Sequence, residues 1–254
     1  MRNVPVELVD GIDRAVLAIG TDYPPQHLLP LHRHRRAQLL YGATGIMQVG
    51  TAAGTWTVPT HRAVLIPPDT DHQVQMDHVS TRSLYIEPAA APWFPTRCQV
   101  VDVSALLREL LLAAVQLPAE YDRHGRDAAL IELILHELRT AAPLPFDLPL
   151  PARSDLRSLC DVFLTAPSIR AAPNDWAARL RVSARTFNRL FRAQTGLAFG
   201  EWRQRACAVH AMRLLSAGRP VTQVAADLDY GSPAAFSAMF ARQVGTPPRA
   251  FQPR

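Results

Sequence analysis

Arg185-Thr186-Phe187-Asn188-Arg189-Leu190-Phe191-Arg192-Ala193-Gln194-Thr195-Gly196 decides how this chain is read. Phe187, Leu190 and Phe191 recur at helical spacing and form an inward stripe; Arg185, Asn188, Arg189 and Arg192 fall outside it. Ser183 upstream is a helix cap and Gly196 a helix stop. A shorter helix precedes it, capped by Asn174 and carrying Trp176, Ala177, Ala178 and Leu180, with Arg181-Val182 as the turn. A short helix, a tight turn and a polar, arginine-rich second helix is the layout that lays side chains into a DNA major groove.

The arrangement recurs from Val221. Val224, Ala225 and Leu228 make the first stripe, and Asp229-Tyr230-Gly231 the turn. Ser232 caps the second helix, Pro233 takes its first position, Phe236 and Phe240 anchor it, and Gly245 ends it. Its outward positions are Ala234, Ala235, Ser237 and Ala238, with Arg242 near the end. Arg can bond both acceptors of a guanine and Asn an adenine edge, whereas Ala offers at most contact with a thymine methyl. The first unit is therefore expected to read bases directly, and the second to rely on phosphate contacts and DNA shape. Between the units, Phe199 to Ser216 suits a long bridging helix through Trp202, Ala206, Val209, Met212, Leu214 and Leu215.

Charge divides along the same line. Residues 1–150 hold 12 Arg and 16 acidic residues, a net −4; residues 151–254 hold 15 Arg and 6 acidic residues, a net +9. A basic back half points to a polyanionic partner. No stretch is apolar for the roughly 18 residues that a membrane span requires; the best candidate, Leu106–Val115, is broken by Arg108 and Glu109. The start of the chain shows no secretory signal. Cys98, Cys160 and Cys207 are odd in number and far apart, which fits reduced thiols in the cytoplasm better than a disulfide framework.

The front half reads as strands. Leu39–Tyr41, Ile46–Val49, Trp56–Val58, Ala63–Ile66 and Ser83–Ile86 are short apolar runs set off by glycines and prolines, the pattern of a sandwich or barrel. Two helices follow, Ser104 to about Gln116 and about Arg126 to Ala141. Their broad apolar faces suit packing on the barrel or a dimer interface, and periodicity cannot choose between them. Pro143, Pro145, Pro149 and Pro151 then mark a stiff linker that disfavours helix and sheet. The reading is α+β: a β-barrel with two helices over residues 1–142, a linker over 143–153, and an all-α domain with two helix-turn-helix units over 154–254.

The two linked units, over about Leu156 to Phe251, resemble the DNA-binding domain of AraC/XylS-type regulators. The main departure is Asp229, where that family usually has Gly; Asp takes the left-handed conformation at modest cost. The resemblance implies a sequence-specific transcriptional regulator, activator or repressor, that binds double-stranded DNA as a homodimer, responds to a small-molecule or metal effector, and has RNA polymerase as a further partner. It places DNA contacts at Ser183, Arg185, Thr186, Asn188, Arg189 and Arg192 in the first unit. In the second they fall at Ser232, Ala234, Ala235, Ser237, Ala238 and Arg242.

His32-Arg33-His34, Gln38, Tyr41, Gly45, then Pro67, Asp69 and His72, resemble a cupin barrel. In metal-binding cupins such a set holds one divalent ion, which would make His32, His34, Gln38 and His72 ligands for Zn, Ni, Fe or Mn; alternation puts His32 and His34 on one strand face. Most sensor barrels of these regulators hold no metal, and a His-x-His pair equally suits a polar rim or a sugar-binding edge. The front half is also similar to the subgroup that includes the nitroimidazole-resistance regulator, which implies control of a neighbouring efflux transporter gene. His27, His61 and His78 read as surface residues, and His136 as a structural one. A cupin isomerase or dioxygenase on a DNA-binding tail would need an acid or base beside the metal. No suitably spaced carboxylate pair is present, so no enzyme is expected. A regulator without any ligand is the third reading.

Overall fold

The computed structural model describes residues 1–5, 8–77 and 79–252, so His78 lies outside the described residues. The chain forms two units, residues 1–51 with 56–144, and residues 52–55 with 145–254. The fold is α+β, a unit of antiparallel sheets followed by a helical one.

The first unit contains β1 (Val16–Asp22), β2 (His27–His32), β3 (Ala37–Gly42), β4 (Ile46–Thr51), β5 (Gly54–Val58), β6 (Arg62–Ile66), β7 (His72–Asp77), β8 (Ser80–Ile86) and β9 (Gln99–Asp102). Then come α1 (Ala105–Ala114), α2 (Arg126–Thr140) and β10 (Pro143–Leu144). One sheet runs β1-β8-β3-β6-β9-β10; the strands of this unit in the other run β5-β4-β7-β2, with β2 at an edge. Alternation sends Val16, Leu39, Tyr41, Leu84 and Ile86 to one face of the first sheet, against Leu107 and Leu111 of α1 and Leu130, Ile134 and Leu138 of α2. The helices therefore spend their apolar stripes on their own sheet, each such side chain contributing roughly 1.5–3 kcal/mol. Leu106 and Leu133 remain exposed. Ser104 caps α1, its hydroxyl accepting from the Leu107 amide at 3.0 Å. His136 is not a structural residue: it is exposed, facing away from the side of α2 that buries Ile134 and Leu138.

The proline-rich segment is more ordered than its composition suggests. β10 pairs with β9, and β11 (Asp147–Pro149) follows. Prolines sit only at the ends of these very short strands, where a missing N–H costs little.

The second unit adds α3 (Ser154–Thr165), α4 (Pro173–Arg179), α5 (Ala184–Thr195), α6 (Phe199–Ser216), α7 (Val221–Asp227) and α8 (Pro233–Val244). Asn174 does not cap α4. Pro173, with no N–H to satisfy, takes the first helical position and Ala172 becomes the cap residue. Leu148 and Leu150 are buried with Leu156, Phe163, Trp176 and Trp202, so the segment after residue 145 belongs to this core. Trp202 is fully buried and donates its indole N–H to the Pro149 carbonyl at 2.8 Å. Aromatic rings fill the first helix pair, Trp176 lying 4.8 Å from Phe199 between centroids. Phe236, Phe240 and Phe251 do the same for the second. α6 packs on α5, α7 and α8, as a bridge between the two pairs.

Candidate functional site

The two helix pairs repeat one backbone design. The amides of Leu180, Arg181 and Val182 reach the carbonyls of Trp176, Ala178 and Ala177; those of Leu228, Asp229 and Tyr230 reach Val224, Ala226 and Ala225. Arg181 and Asp229 both stand in the left-handed region, at φ 55° and 60°. Asp229 thus holds the turn as the sequence suggested. Arg181, in the same role, carried no such signal. The copies differ by one residue: Ser183 follows Val182 directly and caps α5, whereas Gly231 intervenes before Ser232 caps α8. The cap hydroxyls accept from the amides of Thr186 (3.2 Å) and Ala235 (3.1 Å). Gly196 and Gly245 end the helices at φ 76° and 81°, a conformation open to glycine without strain.

This geometry fixes which side chains face out. Arg185, Asn188, Arg189 and Arg192 are exposed on α5; Ser232, Ala234, Ala235, Ala238 and Arg242 are exposed at α8. Thr186 and Ser237 are half-buried. Among the described residues, the guanidiniums of Arg185, Arg189, Arg192 and Arg242 have no carboxylate partner, whereas Arg157, Arg205 and Arg219 are paired with Asp161, Asp147 and Asp227. Four unneutralised cations on the two second helices make a surface of positive potential.

The first unit holds a second arrangement. β2 carries a bulge between Leu29 and His32, where Pro30 offers no N–H to the ladder. The extra residue sets His32 directly opposite His72 of β7, ring centroids 4.3 Å apart. His34 is not on the strand with His32; it lies in the connection to β3, 5.2 Å from the His72 ring. The bulge and the connection, rather than simple alternation, bring the three rings together. One ring nitrogen from each of His32, His34 and His72 lies within 4.8 Å of the others. Each Nδ1 faces a backbone carbonyl: Pro30 for His32 (2.8 Å), Arg36 for His34 (2.7 Å) and Thr70 for His72 (2.8 Å). A carbonyl only accepts, so each Nδ1 carries a proton; in the neutral tautomer that leaves the lone pair on Nε2. Gln38, buried on β3, brings its Oε1 to 3.2 Å from His34 Nε2, and its amide donates to Tyr85 Oη (3.2 Å) and Ser83 Oγ (3.4 Å). His72 is fully buried, and its Nε2 has no hydrogen-bond partner among the described residues. Burial pushes its pKa down to about 4, so it is neutral at pH 7.

Residues 176–254 match the model of a helix-turn-helix domain, and residues 15–138 that of the AraC-like ligand binding domain. The HTH-type transcriptional regulator NimR of Escherichia coli strain K12 is 30% identical over 220 residues, covering 86% of this chain and 80% of that protein. The chain belongs to the AraC-type family of transcriptional regulators. The HTH-type transcriptional regulator RipA of Corynebacterium glutamicum is 32% identical over 105 residues, covering 41% of this chain and 31% of RipA. The DNA-binding domain of AdpA, solved with a target DNA, is 33% identical over 37% of this chain and 86% of that chain, with a TM-score of 0.35.

As an AraC-type regulator, the chain is a DNA-binding protein with a ligand-binding domain, not an enzyme. Among the described residues no helix is long and apolar enough to cross a membrane. The cysteines take no part in the histidine cluster; burial pushes their thiols up to about 11 (Cys98) and about 12 (Cys160 and Cys207), which keeps them protonated at pH 7. Sequence reasoning missed Ser83 and Tyr85, which orient Gln38, because nothing local connects positions 38 and 85.

Proposed function

We propose that this AraC-type regulator is effector-responsive and dimeric, and that its two recognition helices work unequally. The supporting observation is the contrast between the exposed faces of α5 and α8. The first carries Arg185, Asn188, Arg189 and Arg192, three of them unpaired cations; the second carries alanines and Arg242. On this reading Arg185, Asn188 and Arg189 contact base edges, while α8 holds its half-site through Arg242, methyl contacts and DNA shape. An effector in the first unit shifts the population that binds DNA, and RNA polymerase reads the result. The resemblance of the front half to the nitroimidazole-resistance subgroup adds a neighbouring efflux transporter gene as the proposed target. Binding-site selection tests the division of labour. Arg189→Ala should cost about 1–3 kcal/mol and relax preference at one base, and Arg242→Ala should weaken all sequences alike. Strong base preference confined to the second half-site, and indifferent to Arg185 and Arg189, refutes it.

A further inference from the structure

We infer that His32, His34 and His72, with Gln38, hold one divalent transition-metal ion whose open coordination positions take an anionic donor group of the effector. The inference deepens the effector-responsive reading and rests on it for the second half. The ligand atoms come first. Three Nδ1–H groups tied to backbone carbonyls leave the Nε2 lone pairs to act as ligands, and one ring nitrogen of each histidine lies within 4.8 Å of the others. Carbonyl-anchored imidazoles of fixed tautomer are the outer-shell arrangement of metal-bound histidine. His72 Nε2 is buried without a donor, at a cost that a bound cation would relieve.

His34 sharpens the point. With its proton on Nδ1, its Nε2 and the Gln38 Oε1 are two acceptors facing each other at 3.2 Å. A cation between them satisfies both, and so would a rotated Gln38 amide or a doubly protonated His34; the experiment separates these. Imidazole nitrogens with an amide oxygen, and no thiolate, suit zinc or a neighbouring first-row ion. Zinc bonds of about 2.0–2.1 Å would draw the nitrogens somewhat closer together by side-chain rotation.

Charge then defines the missing ligand. Three neutral imidazoles and a neutral amide leave a dication uncompensated, and among the described residues no carboxylate joins the cluster. Beside it lies a cavity of about 430 Å³ whose lining includes His32, Ser83 and Tyr85 on the polar side and Pro5, Ile19 and Leu29 on the apolar side. A partly buried dication next to a cavity with both polar and apolar walls selects a small organic anion: the charged end on the metal, the carbon body in the cavity.

The test uses full-length protein stripped with chelator and titrated with zinc and with cobalt(II). One ion per chain and a raised melting temperature are expected; His32→Ala and His34→Ala should each abolish stoichiometric binding while far-UV circular dichroism stays unchanged. Acetate and octanoate added to the cobalt form should shift its visible absorption saturably, octanoate at lower concentration. Gln38→Glu, which supplies a negative charge, should retain cobalt and weaken the anion response. Protein that binds no metal and melts unchanged overturns the site, and a rotated amide or protonated His34 then explains the geometry. Metal binding with no anion-dependent change overturns the open-position half. Metal and anion binding with unchanged affinity for DNA would leave the site standing and remove the effector-responsive reading instead.

Discussion

The imidazole of His34 donates to the backbone carbonyl of Arg36 at 2.7 Å, and the Arg36 side chain is itself completely buried. Its guanidinium bonds Asp10 (2.9 Å) and Glu87 (2.8 Å) and donates to the carbonyls of Arg14 and Ile12. One arginine thus ties the segment around residues 10–14 to the start of β3 and sets the carbonyl that orients His34. Arg36→Met should destabilise the first unit by about 3 kcal/mol, because it strips the carbonyls of Arg14 and Ile12 of their donor and leaves Asp10 and Glu87 with only the half-exposed Arg35. Arg35→Met, at a half-exposed side chain on the same acids, should cost under about 1 kcal/mol. Urea unfolding of both variants measures this; equal costs would show that the buried clamp has no special weight.

The segment from Pro145 to Ala152 should be required by the DNA-binding unit. A fragment of residues 145–254 keeps Leu148, Leu150 and the Pro149 carbonyl that binds Trp202; one starting at Leu156 loses them. Two buried leucines are worth about 3 kcal/mol or more together. The longer fragment should melt as a cooperative unit and bind DNA with a steep salt dependence, and the shorter should melt at lower temperature. Identical melting curves would place Leu148 and Leu150 outside the folding unit.

Stability of that fragment should fall as pH drops below about 6.5. His210, its one histidine, has its pKa lowered from 6.5, first by burial and then by Arg213. The unfolded chain therefore takes up the proton before the folded one, and stability rises with pH across that window. Melting at a series of pH values should show the slope in the wild type and a flatter profile in His210→Gln. A wild-type profile without slope between pH 5 and pH 7, or one unchanged by His210→Gln, contradicts the assignment.

Dimerisation should respond to Leu133 and not be testable at Leu138. Leu138 is buried against the sheet, so Leu138→Glu should unfold the first unit rather than split a dimer. Leu133 is exposed on α2, and Leu133→Glu should give folded monomers in sedimentation velocity. Wild-type protein that is monomeric at micromolar concentration ends the dimer proposal.

The helix-turn-helix repeat was legible because its signals are local. Phe187 with Phe191, and Phe236 with Phe240, sit one helical turn apart, and Ser183, Gly196, Ser232 and Gly245 mark ends by side-chain chemistry alone. The cap at Asn174 was misplaced because Pro173 competes for the same turn. In the first unit the residues of the histidine cluster could be picked out, but not what assembles them. The bulge at Pro30 reverses the faces that simple alternation predicts, and the Ser83 and Tyr85 contacts to Gln38 depend on strand pairing between distant segments. Arg181 could not be singled out at all, since arginine has no preference for the backbone it adopts there.

α6 is an unbroken helix of 18 residues, about 27 Å long, with nine side chains buried along it. It acts as a ruler. A strut without hinge glycines near its middle cannot stretch or swivel to follow DNA, so the distance between two reading heads becomes a property of the protein. Inserting one base pair between the half-sites would carry the second about 34° around the duplex axis, out of phase with α8. The operator's phasing, as much as its letters, would then determine where this regulator binds.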